Sequence, residues 1–515
     1  MRTLLLLLAA SSACASLERY PIHHAGYRPT ALVAAALEDA GANRSELEAT
    51  LEHFAAEGDA EKLAAAEFLI ANMESQGYSK IKLLDADGAV VPYEALDHAN
   101  YDAALAALEA LEAEHGSLEF HGTTFVRDLD VITADFLIAD IDAAFAAWRS
   151  NAWSHDIDFA TFEEYILPYR GSNEPLEAWR GPVTERLASV TSALAGETDR
   201  KTAAARVNRE VGGWVGFDSI FYIHPTDQGY GEMVQRKKGR CEDITNMNTY
   251  AMRAGALASA ADYTPYWADR DNNHAWPVML DEHGEGHAPL SNRAAKVYRK
   301  TFSLQRDGLA FQLGESETAP PWLDRKHFID VTRQYVATSD FELALDLAPP
   351  STSQHAYLCV FNAGEWQAIA WAPLDRETRR ATFEAIGRDI VYLPAYFADG
   401  EVVPAGAPFF LAKDGSRTNF LANGKAVPVR LLATGPGAPA LDDAGLPKSR
   451  LAPDAAYMLY LWRLGAWQQL GPLSTTSGPT EAAMLPSDGL FWLVQDGSRR
   501  LERPFAVKAG DQVWM

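Results

Sequence analysis

A chain of 515 residues, 48% hydrophobic and 22% charged, has the composition of an ordinary globular protein and is too long for one core; about three domains of roughly 100 to 200 residues are expected. Its net charge of −25, from 45 basic against 70 acidic residues, argues against nucleic acid as a partner, because phosphate binding needs a basic face. Past the first residues no stretch approaches the ~18 uninterrupted apolar residues of a membrane span. Walker loop, dinucleotide fingerprint, HExxH helix and nucleophile elbow are all missing, and no cofactor is expected.

Residues 1–15, MRTLLLLLAASSACA, read as an export signal: an arginine, a short apolar run, then small residues. A periplasmic or cell-surface location is therefore expected. Two endings stay open. Ala13-Cys14-Ala15 fits cleavage after Ala15, whereas Ser12-Ala13-Cys14 fits a bacterial lipoprotein site at which a lipid on Cys14 would attach the protein to a membrane. Residues 16–190 are expected to form a helical domain, since segments such as YDAALAALEALEAEH repeat Leu and Ala at three- and four-residue spacing. Near its end, FATFEEYILPYRGSNEPLEAWR breaks that rhythm with Pro168, Gly171 and Pro175. It reads as a structured loop whose Tyr165, Tyr169, Arg170, Glu174, Trp179 and Arg180 suit domain packing, with the lining of a cleft as the alternative.

Residues 191–325 carry the chemistry. Cys241 follows Gly239 and Arg240 and opens a segment in which Ile244, Met247, Tyr250, Ala251 and Ala254 recur at helical spacing. At a helix N-terminus the unpaired amides and the macrodipole favour a thiolate, and Lys238 and Arg240 add positive charge. His274 opens HAWPVML, a strand pattern able to hold an imidazole against that thiol. A thiolate with an imidazole performs acyl transfer or amide hydrolysis. Trp276, on the same strand face as His274, is expected to pack beneath the site. Trp267, with Tyr263 and Tyr266, suits an apolar cleft wall, and Asn273 in the loop before His274 is placed to meet substrate. The Cys241 amide supplies one oxyanion donor, and Gln228 and Gln235 are the side-chain candidates for another. The acidic and histidine residues of DEHGEGH have metal-ligand types, but DEHGEG reads as a hairpin turn, so no metal site is assigned. Cys359, in the apolar run HAYLCVF, reads as a buried inert thiol.

Residues 326–434 and 435–515 change to short alternating strands separated by Gly, Asp, Asn and Pro. GPGAPALDDAGLPK lies between the two stretches as a linker or a long loop. Both carry a Gly-x-Trp hairpin signature, GEWQAIA and GAWQQLG, so two related β-sandwich modules are expected, with one larger sandwich as the alternative.

The segments GRCED, the helix behind it, and NNHAW resemble the transglutaminase-like superfamily, whose core sets a cysteine on a helix N-terminus and His-Ala-Trp on the following strand. More narrowly, FLIANM, YILPYR, DQGYGEM and AKVYRKTF look like the multidomain transglutaminase-domain proteins exported by certain Gram-negative bacteria, a similarity spanning nearly the whole mature chain. The resemblance implies a multidomain α+β protein with an N-terminal helical domain, a papain/transglutaminase-like α+β core and C-terminal antiparallel β-sandwich modules. It makes Cys241 the nucleophile and His274 the general acid and base. The family's orienting Asp would fall near Leu290 or Ser291, neither of which is an acid. Asn292, one residue on, is the candidate third member. Asp281 is the other, although its odd offset from His274 points it to the opposite strand face. The expected function is an exported thiol enzyme that hydrolyses a peptide or amide bond, or transfers the acyl group, on a peptide, protein or glycopeptide. The alternative is a catalytically weakened scaffold that holds protein or glycan through its β modules. Oligomeric state is left open.

Overall fold

The computed structural model describes residues 27–286, 288–437, 440–475, 481–498 and 502–515. Residues 1–15, read above as an export signal with Cys14 among them, and His287 lie outside them. The described chain is mixed α and β, with twelve α-helices and several antiparallel sheets. None of these helices is long and apolar enough to cross a membrane.

Three- and four-residue spacing buries Leu47, Leu51 and Phe54 on helix Arg44–Glu57, and Ala65, Leu69 and Ile70 on Ala60–Ala71. Leu137, Ile141, Ala144 and Phe145 do the same on Ala134–Ser150, and all three stripes meet in one apolar cluster. Asp59 caps the second of these helices by accepting the Glu61 N–H at 3.1 Å. The region is not helical throughout. Gly77–Leu84 and Glu119–Arg127 pair as an antiparallel hairpin around the helix Tyr101–His115. Its alternation, Tyr78 to Leu83, is short and its partner strand distant in sequence, so an Ala-rich helical reading covers it.

The YILPYR loop is buried between the helices and the next layer. Arg170 pairs with Asp128 and Arg180 with Asp140, the second at 2.9 Å. Arg180 also donates to the carbonyls of Ile166 and Leu167. Trp179 donates to the Tyr169 carbonyl at 2.5 Å and stacks on Tyr250 of the Cys241 helix, ring centres 4.4 Å apart.

The central sheet is antiparallel, in the order His274–Met279, Ser259–Thr264, Tyr298–Lys300, Phe328–Asp330. The last strand lies beyond the boundary expected at residue 325, because Phe328–Asp330 completes this sheet by pairing with Tyr298–Lys300. Register sets Trp276 opposite Asp262, and Asp262 opposite Arg299, so the three side chains form one row on one face. Within that row the Arg299 guanidinium donates from Nε and Nη2 to the two Asp262 oxygens, each at 2.8 Å. Both side chains are buried. Tyr335 adds its hydroxyl to Asp262 Oδ2 at 2.6 Å and accepts the Trp276 indole N–H at 3.0 Å.

Two further sheets follow. One holds eight strands from Thr338–Ala344 to Arg417–Asn419. The other holds seven, from Ala426–Leu431 to Asp511–Trp514. Ala426–Leu431 pairs with Glu481–Pro486 and, in parallel, with Asp511–Trp514. The VPVRL strand therefore belongs to the last module, and the boundary expected at residue 434 shifts to before residue 426. GPGAPALDDAGLPK is a loop inside that module, held by Arg450 donating to the carbonyls of Gly435 and Gly437. Alternation identifies a strand but not its partner. The two Gly-x-Trp hairpins turn through positive φ, at Ala363 and Gly364 in one and Leu464 and Gly465 in the other. Their tryptophans meet through Trp462, 5.5 Å from Trp366 and 5.2 Å from Trp467. Cys359 is fully buried, which pushes its thiol far up, and it is not in a disulfide.

Asp262→Asn leaves the buried Arg299 guanidinium without its counter-charge, and a loss of about 3 to 5 kcal/mol is expected by urea denaturation. An unchanged midpoint would contradict the placement of this pair.

Candidate active site

Cys241 is the first residue of the helix Cys241–Ala254. Asp243 secures that start: its Oδ2 accepts the Arg240 N–H at 2.8 Å and its Oδ1 the Gln228 N–H at 2.9 Å. Gly239 is required by the close approach behind it, since a Cβ there would lie 2.5 Å from Asp243 Cβ and 2.9 Å from Gln228 Nε2. The helix buries Met247, Tyr250, Ala251 and Ala254, matching the sequence spacing, while Ile244 is half-buried. Arg240 turns to Asp227 at 2.6 Å and to the His224 carbonyl at 3.2 Å.

The Cys241 sulfur is half-buried. Burial of the thiol, and next the Glu242 carboxylate, push its pKa above the ordinary 9.0. The backbone N–H groups of Ala275 and Glu242, together with Arg240, pull the other way. The sulfur itself donates to Glu242 Oε2 at 3.8 Å. The expectation that the helix start favours a thiolate is thus corrected. Desolvation and an adjacent negative charge outweigh the amides and the arginine.

His274 is the first residue of its strand and keeps an exposed edge. Its ring lies 5.4 Å from that of Trp276 and 6.0 Å from that of Trp267, nearly parallel to the latter at 28°. Trp267 and Trp276 are themselves parallel within 11°. Trp276 and Val278 join the cluster containing Trp267 and the N-terminal helices, whereas Met279 packs with Met247 and Tyr250 of the Cys241 helix. Strand alternation therefore sets the imidazole on the tryptophan side. Among the described residues it has no hydrogen-bond partner, the sulfur included. Water lost to the ring lowers the His274 pKa below 6.5; Glu242 raises it and Arg270 lowers it further.

Neither candidate third member reaches that ring. Asn292 donates to Ser291 Oγ at 3.0 Å. Asp281 caps the DEHGEG hairpin, accepting the N–H groups of His283 and Glu285 at 2.9 Å each. The segment after the His274 strand is consumed by this turn, which Arg299 closes from below by donating to the Gly284 and Gly286 carbonyls at 2.7 and 3.1 Å. Glu242 is the carboxylate whose charge acts on both Cys241 and His274, and Lys300 Nζ stands 3.6 Å from it. Its place beside the cysteine in sequence reads only as a favourable acid at a helix start, and no further signal marks it.

Gln228 is buried and donates from Nε2 to the Lys238 carbonyl at 2.8 Å, so its side chain braces the turn before Cys241. Gln235 is exposed on the short helix Tyr230–Arg236. Asn273 keeps its side chain half-buried while its backbone N–H bonds Asn272 Oδ1 at 2.9 Å. Asn272 itself adopts φ 77°, the left-handed turn that carries the chain into the His274 strand. This loop is held from the β modules. Asn362 donates to the carbonyls of Trp267, Arg270 and Asn272 at 3.0 Å each. From the last module, Arg503 donates to the Ala268 and Phe361 carbonyls at 2.6 Å. Both residues come from segments distant in sequence, and nothing local to them announces the role. Among the described residues no group of three or more His, Cys, Asp or Glu side chains could hold a metal ion. No protein-family model matches the chain, and no curated protein matches it in sequence.

Glu242→Gln removes the negative charge beside the sulfur, so the Cys241 thiol pKa falls and the thiolate fraction at pH 7 rises. Iodoacetamide labelling of Cys241 at pH 7 is expected to accelerate roughly three- to tenfold. A rate equal to that of the parent protein would show that Glu242 does not control the thiol.

Proposed function

We propose that this protein is an exported transglutaminase-like thiol enzyme that hydrolyses a peptide or amide bond, or passes the acyl group to an amine. Cys241 is its nucleophile and His274 its general base and then acid. The observation that carries this reading is the Ala275 N–H at the Cys241 sulfur, which sets the strand bearing the imidazole directly beside a thiol on a helix start. The upward shift of the thiol and the downward shift of the imidazole mean that both rest neutral. Chemistry then starts by general-base catalysis rather than from a formed ion pair.

His274 begins the outermost strand of the central sheet, and in this mechanism its exposed ring swings away from the tryptophans around that open edge to reach the sulfur. The imidazole takes the thiol proton as sulfur bonds to the carbonyl carbon. Helix-start amides receive the oxyanion. The carbon–nitrogen bond breaks, and the imidazolium returns its proton to the leaving amine. Water then attacks the thioester, giving a carboxylic acid and the free thiol. The family reading also takes in the papain/transglutaminase-like character of the central layer, the β-sandwich character of the two C-terminal modules, export, and attachment by a lipid on Cys14.

A second reading, a weakened scaffold that holds protein or glycan through its β modules, is favoured by one observation. Among the described residues, neither a carboxylate nor a side-chain amide hydrogen-bonds the His274 ring to orient it.

p-Nitrophenyl acetate separates the two. The enzyme reading expects an acetyl adduct on Cys241 by mass spectrometry and nitrophenolate release that slows about 100-fold in His274→Ala. Equal rates in the two proteins would leave the scaffold reading standing.

A further inference from the structure

Beside Cys241, on the sheet face that carries Ala261, Tyr263 and Lys300, lies a cavity of about 600 Å³. The N-terminal hairpin and the loop after YILPYR wall its other sides. This size is typical of a small-ligand site. Six cations line it, Arg170, Arg240, Arg253, Lys300, Arg325 and Lys326, against the two acids Asp227 and Asp324. The chain as a whole carries −25, so this concentration of positive charge runs against its composition.

Three of the six are neutralised by partners: Arg170 by Asp128, Arg240 by Asp227 and Lys326 by Glu74. Of the other three, Arg253 and Arg325 have no ion pair among the described residues, and Lys300 has only the longer one to Glu242. Arg253 donates only to backbone carbonyls, those of Pro168, Arg170 and Ser259. Its burial, with Arg180 nearby, brings the guanidinium down to about 10, the mark of a charge poorly compensated. Arg325 lies 4.5 Å over the Trp322 ring and has no ion pair among the described residues. Lys300 bonds Ser172 Oγ and stands 3.6 Å from Glu242, with its Nζ 5.7 Å from the Tyr263 ring centre. Two of its lining residues adjoin the thiol's surroundings: Arg240 immediately precedes Cys241, and Lys300 contacts Glu242, the residue after it.

We propose that this cavity is the subsite for the anionic end of the substrate, holding the free carboxylate of a peptide whose acyl carbonyl is presented to Cys241. The assignment names the substrate class of the thiol-enzyme reading and rests on it. Lys300 and Arg325 supply charge-assisted hydrogen bonds from a partly enclosed wall, where such bonds are stronger than in water. Tyr263 and Phe302 give the adjoining apolar surface.

Binding to the full-length protein, carrying Cys241→Ala so that the peptide is not cleaved, tests this without turnover. By isothermal titration, alanyl-alanine is expected to bind at least about tenfold more tightly than its C-terminal amide. Inorganic phosphate should compete with the acid. Arg325→Gln, which breaks no ion pair, should weaken the acid about tenfold and leave the amide unchanged, while Arg325→Lys retains most of the affinity. Equal binding of acid and amide, or an Arg325→Gln protein that binds the acid as the parent does, would overturn the proposal. So would phosphate binding with no dipeptide binding. The two readings fail separately. Acid-selective binding to a protein whose Cys241 does not acylate overturns the enzyme and keeps the subsite. Acylation without acid selectivity does the reverse.

Discussion

Arg299 directs its guanidinium wholly into the core: two bonds to Asp262, one to the Gly284 carbonyl, one to that of Gly286 and a further one to Gln334 at 3.1 Å. A buried ion pair has a large desolvation cost, and it is tolerable here because the remaining donors also find acceptors. Its consequence is geometric. One residue ties the second and third strands of the central sheet to the hairpin that follows the His274 strand. Through Asp262 and Tyr335 it also fixes the Trp276 indole. The plane on which the His274 imidazole lies is thus set by a charge pair on the next two strands of the sheet.

Above that plane the electrostatics are balanced toward neutrality. The helix start brings amides to the Cys241 sulfur, yet burial and Glu242 keep the proton on it. Loss of water from its ring, with Arg270 nearby, likewise disfavours a proton on His274, against the pull of Glu242. A neutral pair suits general-base attack, and a ligand able to draw Glu242 away from the sulfur would favour the thiolate. Lys300 touches Glu242 and also lines the cationic cavity, so occupancy of the cavity and the state of the thiol are physically linked. The two β modules enter through Asn362 and Arg503, which fix the loop leading into His274. They are therefore part of the site's scaffold whatever else they bind.

Much of this was legible in sequence wherever the signal is local. The period of Met247, Tyr250, Ala251 and Ala254 gives the helix, and its start falls at Cys241 because Gly239 and Asp243 fit one tight turn. The alternation of HAWPVM gives the strand and places Trp276 under His274. What could not be read depends on pairing across the chain. Asp262 and Arg299 are unremarkable in their own segments, and only the register joins them. The third catalytic member failed for a related reason: Asp281 and Asn292 have suitable chemistry, but a hairpin and a loop take them elsewhere. The VPVRL strand was visible as a strand, while its sheet was decided by partners later in the chain. The charge state of Cys241 was misjudged because helix dipole and neighbouring arginine are visible in sequence and burial is not.

A titration of the His274 imidazole by NMR, in the parent protein and in Cys241→Ala, tests the neutral resting pair most directly. Neutral partners predict a His274 pKa below its ordinary 6.5 in both proteins, because loss of water from the ring, and not the sulfur, sets it. A pKa well above that value in the parent protein, falling when the sulfur is removed, would mean that a thiolate–imidazolium pair is already formed and would contradict this view of the site.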